Sequence, residues 1–116
     1  MSDGILPIFT VQPEIVFNQA KKFTNLEKTI LNEMNSEWQE NYADYKNRAR
    51  PFVIESMKRV TAKAGSIFID LTDPFDGMEE DAYTDYCHLT PLGNKRLAQY
   101  LGVRMLPFVA ENIKNS

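Results

Sequence analysis

The sequence predicts an α/β fold in the order β-α-α-β-loop-α with two parallel strands, and three observations carry that reading. Two compact apolar runs, residues 5–11 and 66–72, are rich in β-branched and aromatic residues, as strands buried on both faces are. Between them, apolar residues recur at three- and four-residue steps, the spacing of one helical face. After the second run, Thr90-Pro91 opens another helical stretch. Strand, helix and strand in that order form a crossover unit, which favours parallel pairing and a right-handed connection. At 116 residues, 43% of them hydrophobic, the chain is long enough for one domain, residues 1–116, with a modest core.

The first run is Ile5-Leu6-Pro7-Ile8-Phe9-Thr10-Val11, closed by Gln12-Pro13. Pro7 cannot donate to a ladder, so it belongs at a strand start or an edge. Residues 14–23 read as a connecting loop, with or without a turn of helix, and the pattern does not decide between them. Thr24-Asn25-Leu26-Glu27 then matches a capping box, in which the threonine oxygen and the glutamate satisfy backbone N–H groups reciprocally. The stripe Leu26, Ile30, Leu31, Met34, Trp38, Tyr42 and Tyr45 predicts one continuous helix to about Asn47. Pro51 is expected to break or kink it. A second stripe, Phe52, Val53, Met57 and Val60, ends at Gly65, a suitable residue just past a helix end. After the strand Ser66-Ile67-Phe68-Ile69-Asp70-Leu71-Thr72 comes a long acidic loop, residues 73–85. The last helix starts at Pro91 and buries Leu92, Leu97, Leu101, Met105 and Phe108, with a kink expected at Pro107 and fraying from Glu111 onward.

The chemistry-bearing stretch is Asp85-Tyr86-Cys87-His88-Leu89-Thr90-Pro91-Leu92-Gly93-Asn94. It holds the chain's one histidine, an aspartate three residues before it, and a helix start with Thr90 as N-cap. A histidine on a short loop ahead of a helix is well placed for proton transfer, and a carboxylate can orient its ring.

In this arrangement the chain resembles the C-terminal half of an SGNH (GDSL-type) hydrolase. The resemblance rests on Asp85-Tyr86-Cys87-His88-Leu89-Thr90, on Gly93-Asn94 with Leu97-Ala98, and on the segment Thr10-Val11-Gln12-Pro13 with Lys22-Phe23-Thr24 and Glu27. It implies a partial flavodoxin-like unit at whose strand ends His88 is the general base and Asp85 its orienting partner. That family cleaves esters, often of lipids or acetylated sugars. A serine hydroxyl becomes a competent nucleophile when a neighbouring imidazole takes its proton.

The nucleophile has no counterpart in these residues. No Gly-Asp-Ser-type motif precedes the first run, and Ser2, Ser36, Ser56, Ser66 and Ser116 all fall away from a strand-to-helix turn. The glycine and asparagine motifs that complete the family's oxyanion hole would also lie upstream of Ile5. The expectation is a truncated SGNH-like protein that does not catalyse alone. The alternatives are a dimeric module binding a small molecule or a protein, with a small ester or sugar near His88, and an esterase completed by another chain's serine. An uncovered apolar edge invites pairing, so residues 5–11 are expected to join their own copy across a two-fold axis, completing the sheet as a homodimer.

Other signals read more plainly. Asp70, Asp73, Asp76, Glu79, Glu80, Asp81 and Asp85 suggest an oxygen-ligand cation site, but Gly77 does not fall where a calcium loop needs it, so a solvated acidic loop is the expectation and no metal or cofactor is assigned. Cys87 reads as inert, because adjacent side chains on an extended loop point apart. Trp38, Tyr42 and Tyr45 read as core or interface packing. A net charge of −3 without a basic run argues against nucleic acid, and residues 5–11 are too short to span a membrane. The chain itself reads as cytoplasmic, although a longer parent could be exported.

Overall fold

The computed structural model describes residues 4–114. It is a mixed α/β chain built on a two-stranded parallel sheet. Strand β1 spans Ile8–Val11 and β2 spans Ile67–Asp70, paired in the register Ile8 to Ile67 through Val11 to Asp70. β1 is shorter than residues 5–11 because Pro7 has no N–H. Its carbonyl instead accepts from Ile67 N at 3.2 Å and marks where the ladder begins.

Three helices carry the rest: α1 (Asn25–Glu33), α2 (Tyr42–Lys63) and α3 (Pro91–Lys114). The capping box of α1 is present in full, with Thr24 Oγ1 accepting from Glu27 N and Glu27 Oε1 accepting from Thr24 N. The single helix expected from residue 26 to about Asn47 is divided. α1 widens into a π-helical turn, Met34–Trp38, and Asn41 turns the chain in the left-handed region at φ 59°. Asparagine tolerates that conformation better than most residues. Asn35 Oδ1 then caps the new helix by accepting from Ala43 N at 2.9 Å. The apolar stripe continues through the break, because Met34, Trp38 and Tyr42 still turn toward the same side of the molecule. Neither proline ends its helix: α2 runs through Pro51 and α3 through Pro107. α3 is helical to Lys114, so the fraying expected from Glu111 is not seen in the described part of the tail.

The core does not lie on the sheet. It gathers Ile15, Val16, Phe17, Met34, Phe75, Met78, Ala82 and Tyr83, most of them from the two loops that follow the carboxyl ends of β1 and β2. Ile15, Val16 and Phe17 form one turn of 3-10 helix within the first loop. The loops are stitched by backbone bonds: Ile15 N to Tyr86 O, Lys22 N to Met78 O, and Gly77 N to Ala20 O. α2 packs along β2, where Ile54 and Ile69 are buried. Phe9 on β1, by contrast, is 46% exposed. Along α3, Val103, Leu106 and Val109 are exposed. The Cα radius of gyration is 16.4 Å, against roughly 13 Å for a close-packed domain of this length. No described helix is long and apolar enough to cross a membrane.

Candidate functional site

The loop that carries Asp85 and His88 is held at both ends by side chains chosen for the purpose. At its start, Glu27 Oε2 accepts from Ala82 N at 3.0 Å and Tyr83 N at 3.3 Å. At its end, Thr90 donates its hydroxyl to Asp81 O at 2.7 Å, and Thr90 N donates to Ala82 O at 2.9 Å. The same Thr90 oxygen accepts from Gly93 N at 3.0 Å, so it caps α3 as the sequence implies. Gly93 has no room for a side chain, since a Cβ there would lie 2.4 Å from the Ala82 carbonyl oxygen. Between the clamps, Tyr83 and Leu89 form an antiparallel bridge, and Thr84 N donates to His88 O at 2.9 Å.

The first clamp is a buried ion pair. Glu27 is 0% exposed, and Lys21 donates to its Oε1 as well as to the carbonyls of Lys22 and Glu80. All three ammonium protons therefore have acceptors. Beside it, Thr24 donates to Asp81 Oδ1, which draws the start of α1 against the loop. Tyr83 is fully buried, its hydroxyl accepting from Asn18 Nδ2 at 2.6 Å. Burial pushes its phenol far above the ordinary value, so it stays neutral.

On this frame the two residues singled out by the sequence meet. His88 Nδ1 lies 2.8 Å from Asp85 Oδ2. The other carboxylate oxygen, Oδ1, accepts from Cys87 N at 2.9 Å and His88 N at 2.7 Å. Desolvation acts to raise the Asp85 carboxyl, but those two N–H groups and the His88 ring outweigh it and hold it below its ordinary value. Asp85 is thus an anion whose second oxygen is placed to accept Nδ1–H, the pairing that puts the lone pair of a neutral ring on Nε2. The imidazole is open to solvent, its side chain 74% exposed.

The same carboxylate corrects the extended geometry expected around Cys87. The segment is curled around Asp85 Oδ1 and is not extended, so neighbouring side chains converge and Cys87 Sγ sits 3.7 Å from His88 Nδ1.

No family model, curated protein or solved structure matches this chain.

No described serine joins the dyad. Ser36 is in the π-helical turn, where its hydroxyl donates to Glu33 O; Ser56 is within α2; and Ser66 directly precedes β2, at the opposite end of the strand from the site. Ser2 and Ser116 lie outside the described residues. Within this range, the ring's hydrogen-bond partners are Asp85 and Cys87.

A shallow cleft adjoins Asp85, lined by Ile30, Met34, Glu37, Trp38, Thr84 and Tyr86 among others. Trp38 stands edge-on to Tyr42 at 5.3 Å and to Tyr86 at 5.0 Å between ring centroids, yet remains 50% exposed. From the sequence, core or interface packing ranks above a sugar-stacking platform for Trp38. The signal that would have brought it to the site is the helix break after Trp38. A π turn often accompanies functional positions, but the uninterrupted apolar stripe concealed it.

Proposed function

We propose that residues 1–116 supply the general-base half of an ester-hydrolysing site, with the nucleophilic serine and oxyanion donors coming from residues outside this sequence. The observation that carries the reading is the Asp85–His88 pair: an ionised carboxylate fixes Nδ1 at 2.8 Å and leaves Nε2 exposed. In that state Nε2 takes the proton of an approaching hydroxyl as it attacks the ester carbon, and returns it to the leaving alkoxide as the tetrahedral intermediate collapses. Asp85 stabilises the imidazolium that forms between those steps. The aromatic cleft at Trp38 and Tyr86 offers an apolar surface to the acyl or alcohol part of the substrate. The resemblance to SGNH hydrolases supports the same assignment of roles.

The test compares p-nitrophenyl acetate turnover by residues 1–116 with turnover by the protein purified from its natural source, which retains whatever supplies the serine. The isolated chain is expected to give the background rate, unchanged by His88→Ala. The natural form is expected to turn over, to lose about 10³-fold or more with His88→Ala, and to label with a fluorophosphonate on a serine outside this range. Turnover by the isolated chain that disappears in His88→Ala overturns the half-site. A natural form that neither turns over nor labels overturns the esterase reading.

The same reading assigns the open edge of β1 to a second copy of the chain when residues 1–116 are alone. In the described two-stranded sheet β1 pairs on one side only, and Ile5 just before it and Phe9 within it are 64% and 46% exposed. Such an edge offers N–H and C=O groups to an antiparallel partner across a two-fold axis. Light scattering after size exclusion is expected to give twice the 13.4 kDa chain mass, and a monomer at micromolar concentration rejects the pairing.

A further inference from the structure

Asp85, Cys87 and His88 bring three different metal-ligating groups to one point. Cys87 Sγ is 3.7 Å from His88 Nδ1, Nδ1 is 2.8 Å from Asp85 Oδ2, and one ligand atom from each of the three residues lies within 4.8 Å of the others. A tetrahedral ion with metal–sulfur bonds near 2.3 Å and metal–nitrogen or metal–oxygen bonds near 2.0–2.2 Å holds its ligands roughly 3.3–3.7 Å apart. The cysteine–histidine separation already matches that spacing, and the carboxylate needs only a small side-chain rotation. We propose that this loop binds a borderline-soft divalent ion of the zinc class through Cys87 Sγ, His88 Nδ1 and Asp85 Oδ2, with a solvent molecule as fourth ligand.

The donor set decides the class of ion. A thiolate and an imidazole are poor ligands for calcium or magnesium, which take oxygen donors, whereas sulfur, nitrogen and carboxylate together suit zinc and cobalt. The exposed imidazole leaves the outer side of the cluster open, which is where the fourth ligand goes. The backbone beneath is already ordered by Glu27 at Ala82 and Tyr83 and by Thr90 at Asp81, so little chain entropy is lost on binding. Binding displaces the proton on Nδ1 and the proton on Sγ; both go to solvent, and no oxidation state changes. The proposal stands on donor geometry and does not depend on the esterase reading. The two uses are mutually exclusive, since a metal on Nδ1 removes the Asp85 hydrogen bond that sets up the free base.

The experiment is a Co²⁺ titration of residues 1–116 under reducing conditions, followed by competition with Zn²⁺. A thiolate ligand is expected to give a sulfur-to-cobalt charge-transfer band in the near ultraviolet, and Zn²⁺ is expected to bleach it. Cys87→Ser should abolish the band, and His88→Ala and Asp85→Ala should each weaken binding by at least about tenfold, the smallest effect typical of even an outer-shell partner. Far-ultraviolet circular dichroism on each variant checks that these surface side chains leave the fold intact. No charge-transfer band, or equal affinity in the wild type and Cys87→Ser, identifies an adventitious ion only and overturns the site.

Discussion

Replacing Glu27 by glutamine tests whether the histidine loop is held by a buried carboxylate. Glu27 makes four hydrogen bonds, to Lys21 and Thr24 N through Oε1 and to Ala82 N and Tyr83 N through Oε2. Glutamine keeps the shape but removes the charge beside the Lys21 ammonium, which is 0% exposed, and whichever way the amide turns, its NH2 faces N–H donors: Lys21 and Thr24 N, or Ala82 N and Tyr83 N. Removing one partner of a buried pair typically costs about 3–5 kcal/mol, because the other charge remains desolvated. Against a total of about 5–15 kcal/mol for a small domain, that is a large fraction. With a slope of about 1–3 kcal/mol per molar urea, the unfolding midpoint should fall by about 2 M. Lys21→Met should cost less, since the carboxylate left behind still accepts from three backbone N–H groups. The double variant should recover part of the loss of Glu27→Gln, because no buried cation remains. Hydrogen exchange gives a local readout: the Ala82 and Tyr83 amides should lose protection in Glu27→Gln before α2 does. A Glu27→Gln unfolding free energy within about 1 kcal/mol of wild type, with those amides still protected, refutes the clamp.

Three further outcomes follow from the same structure. Gly93→Ala should destabilise by about 1–3 kcal/mol in urea despite alanine's better helix propensity, because its Cβ would meet the Ala82 carbonyl at 2.4 Å; a neutral or stabilised variant would mean the loop moves freely. Thr90→Ala should cost about 1–2 kcal/mol by thermal or urea unfolding, since it removes the cap of α3 and the bond to Asp81; an unchanged midpoint would reject the capping role. Asp73 gives a pH signature. Desolvation by burial raises its carboxyl, with the Gln19 N–H partly opposing. A raised folded value means its contribution to stability is fully present below the unfolded value, about 3.9, and is lost as pH rises through the folded value. Asp73→Asn should therefore gain stability relative to wild type between pH 3 and pH 7, and a difference that is flat or reversed across that window would contradict the assignment.

What the sequence made legible was local. Thr24 with Glu27, and Thr90 with Pro91, are helix starts written within four residues, and both caps form. Asp85 and His88 were readable for the same reason, since one turn of chain closes their hydrogen bond. The remainder depended on distance. The capping box accounts for Glu27 Oε1 at Thr24 but not for Oε2, whose partner Ala82 is 55 residues away. Nothing near Lys21 marks it for burial. Ile15, Val16, Phe17, Phe75, Met78, Ala82 and Tyr83 supply most of the core from segments without helical or strand periodicity, so the pattern marks them as loops, with at most one turn of helix in the first. The break after Trp38 was hidden because Trp38 and Tyr42 keep one side of the molecule while the backbone between them changes course.

The placement of the core accounts for the contrast between a firm site and an unfinished sheet. Apolar burial at Phe75, Met78, Ala82 and Tyr83 stabilises the loops after the strands, where the Asp85–His88 pair is mounted. Each of those side chains is at most 5% exposed, whereas Phe9 on β1 is nearly half exposed. A fully buried phenylalanine or methionine side chain contributes roughly 1.5–3 kcal/mol over an exposed one, so the free energy that holds the dyad does not depend on what pairs with β1. Substituting the strand should then separate assembly from site geometry. Phe9→Lys places a charge on the exposed edge, the usual device that blocks strand addition. It is expected to abolish dimerisation in light scattering while the His88 ring keeps its Nδ1–H tautomer by nitrogen NMR. A variant that stays dimeric would move the interface elsewhere, and loss of the tautomer on dissociation would mean that the loop core alone does not hold the dyad.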